Sequence, residues 1–126
     1  MATKIGNLGV TFPDNTVQTT AAASSASAKA WVNFDGTGTV AIRASFNVSS
    51  ITDNGAGDYT VNFTTALADA DYALLGTGQY DDSTVNPIIK VSGPISPTTT
   101  AARIQSTNSG TSGVSDALRV SVSVFR

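Results

Sequence analysis

The sequence predicts an all-β protein: an antiparallel β-sandwich of about seven strands, jelly-roll-like or immunoglobulin-like, behind an extended N-terminal segment. Three observations predict it. All nine acidic residues are Asp, and the strong helix formers Glu and Lys are absent or scarce, while Thr, Ser, Val, Asn and Gly abound. Two stretches, TVAIRASFNVS (39–49) and ALRVSVSVFR (117–126), alternate apolar and polar residues with the period of a half-buried strand. Turn signals recur between the apolar runs at DGTG (35–38), TDNGAGD (52–58), GPISPTTT (93–100) and NSGTSGVSD (108–116). The 126 residues suit one folded domain, expected at 30–126, preceded by an attachment or oligomerisation segment at 1–29.

Residues 1–20 read as extended, with Ile5, Leu8, Val10, Phe12 and Val17 punctuated by Gly6, Gly9 and Pro13. FPDNT is a turn: Pro13 presets φ, and Asp14 and Asn15 bond the local backbone. AAASSASAKA (21–30) offers little apolar area to offset the entropy of ordering it. It reads either as a flexible linker or as a short helix packed against copies of itself.

From Ala30 the reading is regular. AWVNF is a strand, and Asp35-Gly36 opens a hairpin turn. In the next strand Val40, Ile42, Ala44, Phe46 and Val48 share one face. After TDNGAGD, the residues Tyr59, Val61 and Phe63 point inward, with Thr60, Asn62 and Thr64 outward. TALADADYA is expected to hold a brief helical turn before a strand at 72–79. Further strands follow at 86–92, with Pro87 at its start where a missing N–H is tolerated, at 101–107, and at the C-terminus.

Composition excludes several chemistries. There is no His and no Cys, which removes the commonest general base, thiol catalysis and ordinary structural zinc. A formal charge of −2 with dispersed Lys and Arg argues against nucleic acid. No run of about 20 apolar residues could span a bilayer, and the N-terminus lacks the apolar core of a signal peptide. GTGTV and LGTGQY are Gly-rich without the pattern of a phosphate loop. The pairs Asp53/Asp58, Asp69/Asp71 and Asp81/Asp82 read as turn residues in preference to a calcium loop. No catalytic residue, metal ligand or cofactor is expected. Trp31, the one tryptophan, reads as closing an end of the core, with a sugar platform or an interface anchor as the other readings. Tyr80, with Asp81 and Asp82 on a loop, is the candidate for surface recognition.

Two stretches carry a resemblance. GVTFPDNTVQTTAA (9–22) resembles the G-(I/V)-T-F-x-D-(G/N)-T-V-Q-T-T-A-A element of tail-fibre and related virion proteins of tailed bacteriophages. AWVNFDGTGTVAIRASFNVSSITDNGAGDYTVNFTTALADADYALLGTG (30–78) resembles a domain at the C-terminal end of such fibres, with its A-W-V-N-F-x-G-T-G opening and I-T-D-N-G-x-G-D-Y-T-V-N-F hairpin. The resemblance implies a non-enzymatic virion protein, assembled in the host cytoplasm as a homotrimer. It would dock on other virion proteins through residues 1–29 and face a host-surface glycan with its β domain. On this reading Ile5, Leu8, Val10, Phe12 and Val17 meet their symmetry mates or a docking partner. A short tail fibre, a capsid decoration or head fibre, and a free carbohydrate-binding module remain open.

Overall fold

The computed structural model describes residues 4–6, 9–11, 13–15, 17–18, 27–80, 86–110 and 112–126. Among these there is no helix. Three short strands, β1 (Lys4–Gly6), β2 (Gly9–Thr11) and β3 (Val17–Gln18), form an antiparallel sheet in the order β1-β2-β3. Ile5 pairs with Val10, and Thr11 with Val17. The turn of Pro13, Asp14 and Asn15 lies between β2 and β3, with Asn15 at a φ of 68°, a conformation that Asn tolerates. Leu8, Phe12 and residues 21–26 lie outside the described residues.

Eight longer strands build the sandwich: β4 (Ala28–Asp35), β5 (Ala41–Phe46), β6 (Val48–Gly55), β7 (Asp58–Phe63), β8 (Ala73–Gln79), β9 (Pro87–Val91), β10 (Ala101–Asn108) and β11 (Arg119–Phe125). One sheet runs β5-β4-β11-β8, the other β6-β7-β10-β9, and every pairing is antiparallel. The sequence expectation of about seven strands is thus exceeded by one. β4 begins at Ala28, two residues earlier than the sequence suggests. It lies beside β11 with Ala28 opposite Phe125 and Ala30 opposite Val124.

The core follows from alternation. Ala30, Val32, Phe34, Val120, Val122 and Val124 project from one sheet, and Val48, Tyr59, Val61, Phe63, Ala102 and Ile104 from the other, all buried. Phe34 meets Tyr59 edge-on across the interior, with ring centres 5.1 Å apart. The inward set Tyr59, Val61 and Phe63 is the one read from the sequence.

Two sequence expectations are corrected. TVAIRASFNVS is not one half-buried strand. β5 is exposed along its whole length, and at Asn47 the chain turns through a φ of 53° and passes to the other sheet, where Val48 is buried. Asn47 holds this corner with its own side chain: Nδ2 donates to the Lys29 and Thr65 carbonyls, both at 3.1 Å, and Oδ1 accepts the Thr65 N–H at 2.7 Å. Asn is the residue type that combines a left-handed φ with such local bonding. The helical turn expected in TALADADYA is likewise absent. Residues 64–72 run as bends, tied down where the Leu67 N–H donates to the Thr99 carbonyl at 2.8 Å and Asp69 accepts the Asp71 N–H at 2.9 Å.

The flank opposite Asn47 is closed by glycine. β8 and β9 edge different sheets yet lie against each other. A Cβ on Gly76 would enter the Ile89 side chain, and one on Gly78 would come within 2.8 Å of the Pro87 ring. The glycines of LGTGQY therefore let one sheet edge close over the other.

Candidate functional site

The two outer faces of the sandwich differ in kind. On β6-β7-β10 the outward polar side chains bond one another, while β9 beside them presents the exposed Ile88. Asn62 donates to Ser50 (3.1 Å) and Thr52 (2.9 Å), Asn54 to Thr60 (2.9 Å), and Arg103 to both Asp58 oxygens (2.7 and 2.9 Å), with Gln105 adding a bond to Asp58 at 3.2 Å.

The outer face of β5-β4-β11-β8 grades from apolar to charged along the strands. One row across the sheet runs Phe46, Trp31, Ser123, Leu75, each opposite the next in the strand register. The row beside it runs Ala44, Asn33, Ser121, Thr77. Asp35 lies beyond, where it accepts from Thr37 Oγ1 (2.6 Å), the Thr37 N–H (2.9 Å) and Arg43 (2.8 Å). The Thr37 bonds, chiefly the hydroxyl, hold the Asp35 carboxyl below its usual range, and Arg43 adds to them.

In the first row Phe46, Trp31 and Leu75 are exposed by 54, 39 and 56%. Three large apolar groups so exposed and set in one row of the sheet mark a recognition surface. Between Trp31 on β4 and Leu75 on β8 stand only the small Ser121 and Ser123 of β11. Two inter-strand spacings, about 10 Å, therefore separate the two walls. The result is an open groove of about 440 Å3, lined by Trp31, Asn33, Leu75, Thr77, Ser121 and Ser123 over the backbone of Gly76. Asn33 Nδ2 donates to Ser121 Oγ at 2.7 Å, which fixes both across the β4–β11 pair. The hydroxyls of Ser123 and Thr77 have no hydrogen-bond partner among the described residues. No lining side chain is ionisable.

Trp31 thus does not close the core, as its preferred sequence reading had it. Ala30, Val32 and Phe34 take the inward positions of β4, and parity sends Trp31 outward. The same parity places Ser121 and Ser123 outside Val120, Val122 and Val124. The floor of the groove is legible as the alternation of β11. What the sequence could not supply was the adjacency of β4, β11 and β8.

Tyr80 is also displaced from its expected role at a loop surface. It is half-buried against the core, its hydroxyl 3.4 Å from Ser106 Oγ and 3.4 Å from the Ser115 carbonyl. Asp81 and Asp82 lie outside the described residues. Of the interface candidates, Ile5, Val10 and Val17 occupy β1, β2 and β3, and Leu8 and Phe12 lie outside the described residues. The described Asp pairs serve turns and ion pairs: Asp53 accepts the Gly55 N–H at 2.9 Å, and Asp69 holds Arg126 through bonds of 2.7 and 2.6 Å. Among the described residues no three potential ligands cluster for a metal. No family model, curated protein or solved structure matches the chain.

Proposed function

We propose that this chain is a structural component of a bacteriophage virion, a short trimeric tail fibre or adhesin attached to the particle through its N-terminal segment. The observation that carries the reading is the division of the chain. A sandwich with its own core follows a sheet whose three strands have only three, three and two residues. Strands of that length have too little side-chain area and too few ladder bonds to hold themselves together in water. Apolar residues at the paired positions Ile5 and Val10 gain burial when copies or a docking partner cover them, at about 25 cal/mol per Å2. The likeness of residues 9–22 and 30–78 to fibre sequences points to the same architecture. A capsid decoration or head fibre would share every one of these features and differs only in its place on the particle.

Light scattering on the full-length chain tests the association. A trimer mass is expected, and the double substitution Ile5→Asp, Val10→Asp is expected to return a monomer whose far-UV circular dichroism retains the β signal. A full-length monomer with an ordered N-terminal sheet would overturn the reading. Locating the chain in a particle by cryo-electron microscopy separates tail from head.

A further inference from the structure

We propose that the groove between Trp31 and Leu75 is a binding site for a neutral saccharide, with the Trp31 indole as its stacking platform. This deepens the adhesin reading, and rests on it for the source of the sugar, a host-surface glycan; the chemistry rests on the groove alone.

A pyranose ring has two kinds of surface. One face presents C–H groups, and the rim presents hydroxyls that both donate and accept. The groove offers a match for each. Trp31 and Leu75 form apolar walls, and the exposed indole gives a flat surface on which the C–H face can lie. Ser123 and Thr77 bring hydroxyls with the same two-way capacity as the sugar's own, and both are without partners among the described residues. Asn33, steadied by Ser121, keeps its carbonyl oxygen as an acceptor. The volume of about 440 Å3 falls within the range of small-ligand sites, roughly 300–1,000 Å3.

Charge narrows the choice. With no ionisable lining side chain, the groove offers no counter-charge to a phosphate or a sulfated sugar. The floor argues against a second copy of the chain as occupant, because Ser is depleted at the centres of protein interfaces, where aromatic residues dominate. Trp31 and Leu75 are separated by two serines across the sheet, which suits a narrow amphipathic ligand better than a broad apolar partner face.

Because Trp31 is the sole tryptophan, its fluorescence reports this site directly. The full-length chain is titrated with methyl glycosides of glucose, mannose and galactose, with N-acetylneuraminic acid as the anionic comparison. Saturable change in emission is expected with at least one neutral glycoside and not with the acid. Amide shifts by NMR should localise to Asn33, Thr77, Ser121 and Ser123. Trp31→Ala should weaken binding, followed by NMR, about tenfold or more, and Ser123→Val should weaken it without altering the indole. Either variant is accepted only if its circular dichroism matches the parent, so loss of fold is not mistaken for loss of binding. No response to any neutral glycoside overturns the proposal. So does emission that depends on protein concentration and ignores sugar, which would make the face an interface between copies. Light scattering on the same samples tests the trimer separately, so that a trimer without sugar binding refutes the site alone, and a monomer that binds sugar refutes the virion reading alone.

Discussion

The Tyr59 hydroxyl lies 2.8 Å from Asp116 Oδ1, at the point where three turns of the sandwich meet. The same hydroxyl is 3.0 Å from the Gly36 carbonyl, and the same carboxylate oxygen accepts the Gly57 N–H at 2.7 Å. Tyr59 is fully buried, so its ring supports the core while its oxygen gathers the β4–β5 turn, the β6–β7 turn and the segment before β11.

Tyr59→Phe keeps the ring and deletes the bond. It should cost about 1.5–3 kcal/mol, the value of a buried hydrogen bond to a carboxylate. Tyr59→Ala also opens a cavity and should cost about 3–5 kcal/mol. Urea denaturation checks both, and a Tyr59→Phe variant as stable as the parent would show that the hydroxyl contributes nothing.

Burial first, then the neighbouring carboxylate of Asp116, holds the Tyr59 phenol far above its ordinary value of 10.0. The neutral form is therefore favoured in the fold, and its contribution is complete below pH 10. As pH rises further, the unfolded chain gives up this proton and the folded chain does not, so stability falls. Phenolate absorbance should show Tyr59 ionising only together with unfolding, and Tyr59→Phe should flatten this alkaline limb. A reversible Tyr59 titration near pH 10 in the intact fold would contradict the buried geometry.

At the acid end the sign reverses. Arg103 bonds hold the Asp58 carboxyl below its ordinary value of 3.8, with further help from Gln105 and Asn54. That stability is present above the unfolded value and drains away as pH falls through the lower folded value. Asp58→Asn should cost about 1 kcal/mol at neutral pH and should blunt the acid limb. It should not remove that limb, because the Asp35 and Asp69 carboxyls are held low as well, Asp69 first by Arg126. Thermal melts across the acid range decide it.

Asn47 allows backbone and side chain to be separated. Asn47→Gly preserves the left-handed φ and loses three side-chain bonds; Asn47→Ala loses both. The Ala variant should be the less stable by about 1 kcal/mol, the penalty of a Cβ at that φ. If the two variants melt together, the corner does not depend on its conformation.

Gly76→Ala should cost about 1–3 kcal/mol by overpacking against Ile89. Adding Ile89→Ala should restore part of the loss, so the two substitutions are non-additive in calorimetry. Strict additivity would deny the contact between β8 and β9.

These same residues show why some of the fold was legible and some was not. The inward run of Tyr59, Val61 and Phe63, and the valines of β11, announce themselves by period-two alternation, a local property. Asn47 interrupts such an alternation without changing its parity, because a single left-handed residue can redirect the chain to the other sheet. Only the Asn itself hints at that corner. Gly76 and Gly78 resemble loop residues until Ile89 and Pro87 are seen beside them. The groove was harder still. Its walls come from residues 31 and 75 and its floor from 121 and 123, so it depends on strand order, which alternation does not encode.

The pairing of β4 with β11 gives the sandwich a direction under load. Ala28 and Phe125 are register partners at one end, so the strands that open and close the sandwich leave it side by side. Tension between those two ends would peel the ladder apart one rung at a time. A pull from residue 27 toward Arg119, at the opposite end of the ladder on β11, by contrast loads all the rungs between β4 and β11 in shear together. Anchored by its N-terminal side and tugged through the start of β11, the domain would meet force in the geometry that resists it best.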